Sequence, residues 1–171
     1  IDQDGAIDKV IEFQGPAVQK MAIDTRMTLC NMTRKVEAMA GIVAADRTTE
    51  KFFNDRGIRN IELVSSDEDA QYIRELEYDL SSIELSVSPP PNPARSIALT
   101  EVEGLRIDQA FVGSCAGGRL EDLEAAANVV AGRKIRSGVR FIVSPATQEI
   151  YRAASAKGIL DQLVQAGATV V

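Results

Sequence analysis

The stretch Ile107-Asp108-Gln109-Ala110-Phe111-Val112-Gly113-Ser114-Cys115-Ala116-Gly117-Gly118-Arg119 decides the fold. Its first half is an apolar strand pattern, and its second half is a glycine-rich turn. Residues 119–131 follow with Leu120, Leu123, Ala127 and Val130 on one helical face, and Gly132 ends the helix. Val139-Arg140-Phe141-Ile142-Val143 is the next strand. Residues 147–157 are helical and stop at Gly158. Residues 160–165 add a short helix, Gly167 caps it, and residues 168–171 form a last strand. The order is β-α-β-α-β, with crossovers long enough to join parallel strands. The spacing therefore predicts an α/β fold with a doubly wound parallel sheet and right-handed connections. Just upstream, residues 97–102 and 107–112 flank Gly104 and read as two strands around a turn.

Working back towards the N-terminus, Ser88-Pro89-Pro90-Pro91-Asn92-Pro93 interrupts the chain. Prolines this dense cannot sit inside a helix or a central strand, so the segment reads as a stiff linker. It divides the chain into a first α/β lobe (residues 1–87), a linker (88–96) and a second α/β lobe (97–171). In the first lobe, residues 6–13 read as a strand broken by Gly15-Pro16, residues 24–40 as a helix, and residues 41–44 as a short strand. Asp46 is placed as an N-cap, with Glu50 in the first turn of a helix ending near Arg56-Gly57. Residues 61–64 are expected as a strand, and Ser66-Asp67-Glu68-Asp69 as the acidic start of a short helix.

The chain has 171 residues, a net charge of −6 and no histidine. An acidic balance argues against a nucleic-acid partner, because phosphate binding needs a basic field. No apolar run is long enough to span a bilayer. Without histidine, a Ser-His-Asp triad, a Cys-His pair and a histidine zinc site are excluded within these residues. The two cysteines, Cys30 and Cys115, form no CxxC and suit reduced thiols in a cytoplasmic protein.

Open parallel sheets bind ligands at the carboxyl ends of their strands. Two loops leave those ends here, residues 113–119 and 144–147, and a third would follow Val171. The first loop sets Cys115 before a helix, which favours a thiolate. Three roles stay open for residues 113–118: a plain turn, a functional thiol, or an anion site at a helix start. The Gly-Lys-Ser/Thr ending of a P-loop is missing.

The residues from Glu103 to Cys115, with Gly118-Arg119-Leu120-Glu121-Asp122-Leu123, Gly138-Val139-Arg140 and Val143-Ser144-Pro145-Ala146, closely resemble aconitase-family proteins. So do Asp4-Gly5-Ala6, Ile11-Glu12-Phe13, Arg26-Met27-Thr28-Leu29-Cys30-Asn31-Met32 and Ala40-Gly41-Ile42-Val43-Ala44 in the first lobe. The pattern is most similar to the large subunits of 3-isopropylmalate dehydratases and homoaconitases. The resemblance implies an aconitase-type iron–sulfur domain and a [4Fe–4S] hydro-lyase that isomerises a di- or tricarboxylate hydroxy-acid by dehydration and rehydration. In leucine biosynthesis this is 2-isopropylmalate to 3-isopropylmalate. One cluster iron with an open position serves as Lewis acid on the leaving hydroxyl. Cys115 matches the first cluster cysteine, and Asn31 a polar residue near cluster and substrate. A small subunit or swivelling domain is the implied partner.

The departures set the functional expectation. The paired cysteines of the family would lie beyond Val171, and its upstream histidines are also absent, so these residues read as an internal piece that is inactive alone. Ala116-Gly117 replace the usual Thr-Asn, Lys35 replaces a glutamate, and Glu37 stands where glycine is usual. These changes leave a second reading, a catalytically degenerate binding or assembly module. A third, an unrelated nucleotide or anion binder, rests on the loop from Gly113 to Gly118. Cys30, on the apolar face of its helix, reads as structural.

Overall fold

The structure, a computed structural model, describes residues 5–92 and 95–171. Ile1-Asp2-Gln3-Asp4 and Pro93 of the proline-rich segment lie outside the described residues. The chain divides into two compact units, Ile1–Glu103 and Gly104–Val171.

In the first unit, β1 (Val10–Phe13) and β2 (Ala40–Val43) pair in parallel, with Val10 opposite Ala40 and Phe13 opposite Val43. Between them run α1 (Pro16–Lys20) and α2 (Ile23–Met32), then a 3-10 turn at Thr33–Val36. The helix expected to reach residue 40 ends at Met32, because the chain must turn back to enter β2. Glu37 makes that turn in the left-handed conformation, at φ 59°. Helix α2 rests directly on β2: a Cβ at Gly41 would lie 2.7 Å from Thr33 Cγ2 and 2.8 Å from Cys30 Cα. The strand expected over residues 6–13 is likewise shorter, since Asp8 takes φ 58° before β1 begins. Helix α3 (Arg47–Asn54) starts as expected, with Asp46 Oδ1 accepting from Thr48 N at 2.8 Å and Thr49 N at 3.2 Å.

Two expectations for this unit fail. Residues 61–64 form no strand; Val64 contributes one carbonyl, accepting from Ala45 N at 3.1 Å. Ser66 caps no helix, because its hydroxyl donates instead to Glu12 Oε2, and only a turn follows, with Ala70 N donating to Asp67 O. A third difference lies at residues 97–102. Ile97–Ala98 (β4) pairs antiparallel with Ser86–Val87 (β3), not with residues 107–112, and Leu99–Val102 is a 3-10 turn.

The second unit carries the expected parallel β-α-β-α-β order. Strands β5 (Gln109–Gly113), β6 (Arg140–Ser144) and β7 (Ala168–Val170) lie in the order β5-β6-β7. The crossovers are a single turn α4 (Ser114–Gly117) and α5 (Leu120–Val130), then α6 (Gln148–Ala156) and α7 (Ile159–Ala166). Leu123, Val143 and Leu163 are fully buried where α5, α6 and α7 meet the sheet. Each such side chain contributes roughly 1.5–3 kcal/mol by leaving water. The three long helices pack on one another over one face, while Phe111 on the other face is 52% exposed. Helix punctuation follows the sequence: Thr147 Oγ1 accepts from Ile150 N, and Gly158 and Gly167 take φ 72° and 110°. No helix of the described residues is long and apolar enough to cross a membrane.

Candidate functional site

The parallel register puts the carboxyl ends of β5 and β6 side by side, with Gly113 opposite Ser144. Val171 N donates to Val143 O at 2.9 Å, which brings residue 171 to the same edge. Cys115 leaves that edge on α4 and is exposed. Its loop is clamped from both sides. A Cβ at Gly113 would lie 2.5 Å from Ser144 O, and one at Gly118 would also lie 2.5 Å from Ser144 O and 2.7 Å from Ser114 O. Two missing side chains thus let the loop close onto the backbone of Ser144. Gly118 N donates to Ser114 O at 3.0 Å and Ala146 N to Gly118 O at 2.9 Å, tying the two carboxyl-edge loops together. Ser114 is held at φ 61°, a conformation that costs a non-glycine residue energy and directs the chain into α4.

Cys115 was expected just before the long helix, and it lies there, on a single turn of its own that the sequence reads as loop; α5 begins at Leu120, with Arg119 N donating to Asp122 Oδ2 at 3.0 Å. Four residues carry little macrodipole, so exposure, not the field of a long helix, distinguishes this thiol.

In the first unit, Asn31 lies exposed on the last turn of α2, and Lys35 lies exposed on the 3-10 turn that follows. The contact of Gly41 with Cys30, and the Ala6 N to Val36 O bond of 3.1 Å, put this segment beside the amino ends of β1 and β2. Asn31 and Lys35 are therefore neighbours on one edge of the first unit, and Cys115 belongs to the second. Cys30 is half-buried, and burial pushes its thiol pKa up, which suits an inert packing role.

The opposite, carboxyl edge of β1 and β2 holds a cleft of about 530 Å³ that the sequence reading did not anticipate. Its base is an ion pair, Arg26 Nη1 to Asp46 Oδ1 at 2.8 Å, with the Arg26 side chain 3% exposed. Arg26 also donates to Met21 O at 3.1 Å and Gln19 O at 2.8 Å, closing the end of α1. The Arg26 guanidinium, with the two amide donors of α3, holds the Asp46 carboxyl at a pKa of about 2. On the rim, Glu12 accepts from Tyr72 OH at 2.7 Å and Ser66 Oγ at 2.8 Å, and the Tyr72 bond leads in holding its pKa below the usual range. Asp46 was legible as a cap. Buried Arg26 was visible only as part of a quoted motif, and the Glu12–Tyr72 pairing spans sixty residues with no local signal.

A [4Fe–4S] cluster is held by several cysteine thiolates, four in the usual ligand set. These residues supply one exposed thiol at the carboxyl edge of the second unit and one half-buried thiol in the first. Among the described residues no group of three or more His, Cys, Asp or Glu is arranged to hold a metal ion. The residues present thus suit one corner of a cluster and do not fit the whole of it.

The sequence model of the aconitase family (aconitate hydratase) matches residues 1–105 and 98–171. The chain is 43% identical to a 3-isopropylmalate dehydratase large subunit of Campylobacter hominis over 173 aligned residues, covering 99% of this chain and 41% of that protein. It is 39% identical to the corresponding large subunit of Desulfitobacterium hafniense, covering 99% of this chain and 40% of that one. It is 41% identical to a probable methanogen homoaconitase large subunit of Methanothermobacter thermautotrophicus, covering 99% and 40% respectively. The chain spans about two fifths of the length of these relatives. With both of its units matched by the family, and the cysteine-bearing turn lying at a parallel sheet edge, the chain belongs to the aconitase family.

Proposed function

We propose that this chain is the part of a hydro-lyase large subunit that presents one thiolate, Cys115, to a [4Fe–4S] cluster completed by residues outside these 171. The parent activity is the isomerisation of 2-isopropylmalate to 3-isopropylmalate by dehydration and rehydration, in cytoplasmic leucine biosynthesis. A small subunit is its partner, and Asn31 a contact for cluster or substrate. The supporting observation is the clamped loop. An exposed thiol stands at the carboxyl edge of three parallel strands, on a turn held against Ser144 by two glycines that tolerate no side chain. The names of the relatives, dehydratase and homoaconitase large subunits, support the reaction class and the subunit partner. Family membership also removes the reading as an unrelated nucleotide binder.

On this reading the chain's own task is positional. Rigid seating of Cys115 lowers the entropy lost when the thiolate binds iron. Alone the chain is inactive, because one thiolate cannot retain four irons. Lys35 and Ala116-Gly117 favour a second reading, a degenerate relative that keeps the scaffold: the resemblance implies a carboxylate where Lys35 puts a cation, and a hydroxyl and an amide where Ala116-Gly117 carry neither. Anaerobic iron–sulfide reconstitution of the 171-residue chain tests the proposal. It should yield no stable four-iron species by iron content and thiolate-to-iron absorbance. A stable cluster lost on Cys115→Ser would show that the site is completed without outside residues, and would overturn it.

A further inference from the structure

The amino-terminal edge of the second unit's sheet, opposite Cys115, holds a recess of about 460 Å³ bounded by residues 104–107 and 135–139. Its chemistry is unlike the rest of this acidic chain. Between Glu124 and Glu149 there is no acidic residue, and Arg133, Lys134, Arg136 and Arg140 fall in that interval. Arg106 and Arg136 line the recess, both exposed. Among the described residues, neither they nor Arg140 form an ion pair. Between these cations lies apolar surface: Leu105 is 71% exposed, with Ile107 beside it. Exposed guanidinium groups around exposed aliphatic carbon suit an acidic, apolar peptide.

One segment of this chain has the complementary chemistry. Residues 62–84 hold eight acids and a single base, Arg74. Within residues 73–85 the acids Glu75, Glu77, Asp79 and Glu84 are interspersed with large apolar side chains. Ile73 is 90% and Leu85 79% exposed. Apart from the 3-10 turn at Leu80–Ser82, residues 73–85 carry no helix or strand, so the segment can conform to a partner surface. Exposed apolar side chains at this density mark an interaction site.

We propose that residues 73–85 of one copy dock in the basic, apolar recess at Arg106 and Arg136 of a second copy, as a reciprocal pair. Ionic contact sets the specificity, and Ile73 and Leu85 leave water against the Leu105 and Ile107 surface. Reciprocal exchange gives the segment and the recess of each copy a partner.

Sedimentation velocity of the 171-residue chain, across a concentration series at low and high salt, tests this. A dimer at low salt that dissociates as salt rises is expected. Arg106→Glu/Arg136→Glu should weaken association about tenfold or more, since each reversed charge turns attraction into repulsion. Glu75→Arg/Glu77→Arg should do the same. An equimolar mixture of the two variants should restore the dimer, because each then carries the other's complement. All four positions are exposed, so circular dichroism should show both variants folded. A monomer at every concentration and salt would overturn the proposal. So would association that neither salt nor either variant changes, which would point to an apolar contact such as the open sheet face at Phe111.

Discussion

Gly118→Ala tests the clamp on the cysteine loop. The added Cβ would lie 2.5 Å from Ser144 O, 2.7 Å from Ser114 O and 2.9 Å from Ser114 N. The closest of these is about 0.9 Å inside ordinary van der Waals contact. All three are backbone atoms, which cannot rotate away as a side chain would, so two segments must separate. Overpacking of this kind costs about 1–3 kcal/mol, and contact with backbone on both sides places it at the upper end. The substitution recovers about 0.5–1 kcal/mol by restricting the unfolded chain, and φ −118° suits alanine. The net loss is about 2 kcal/mol, or roughly 8–16 °C in Tm for a unit of this size. Gly117→Ala is the matched control. Nothing lies within 4 Å of its Cβ, and it sits on the α4 turn, so it should be neutral or stabilising by about 0.5 kcal/mol. Thermal melts by circular dichroism measure both. Reaction of Cys115 with a thiol reagent should change in Gly118→Ala and not in Gly117→Ala. If the two variants melt together, the loop is not clamped on Ser144 and the reasoning fails.

Asp46→Ala removes a helix cap and leaves the buried Arg26 unpaired, at a cost of about 3 kcal/mol at neutral pH. The Asp46 carboxyl is held at about 2, below its ordinary 3.8, so its contribution is complete above about pH 4 and disappears as pH falls through 2. With the side chain about one third exposed, solvent screening reduces that pH-linked part to about 1.5 kcal/mol. Urea melts of both proteins across this range should show the gap narrowing from about 3 to about 1.5 kcal/mol at the acid end, and a constant gap would refute the pairing. Glu37→Gly should stabilise by about 0.5–1 kcal/mol, because φ 59° strains a side-chain-bearing residue; a lower denaturation midpoint would contradict the left-handed turn. Exposed Cys115 should consume a thiol reagent well before half-buried Cys30, and equal rates with intact circular dichroism would sink that assignment.

The second unit was legible because its signals are local. Helical periodicity at Leu120, Leu123 and Ala127, and glycines at 132, 158 and 167, mark elements whose ends agree with the structure within about two residues. The first unit was harder wherever distant groups decide the outcome. Ser66-Asp67-Glu68-Asp69 has the acids of a helix start, yet Ser66 and Tyr72 bind Glu12, and that competition is invisible in a short window. Residues 97–98 looked able to pair with the strand after Gly104, but pair with Ser86–Val87 before the prolines. At the candidate site, the resemblance nominates Cys115, and its place at the carboxyl edge of the sheet was legible from the strand-turn-helix pattern. The clamp that seats it was not, because the closeness of Gly113 and Gly118 to Ser144 depends on the parallel register.

The central claim is that Cys115 is one ligand of a cluster that other parts of a large subunit complete. Its most direct test is a chimera in which this chain replaces the matching region of the Campylobacter hominis large subunit, reconstituted anaerobically with iron and sulfide. Iron content and thiolate-to-iron absorbance near those of the unaltered subunit are expected, lost on Cys115→Ser and retained on Cys30→Ser. A cluster that survives Cys115→Ser unchanged would contradict it.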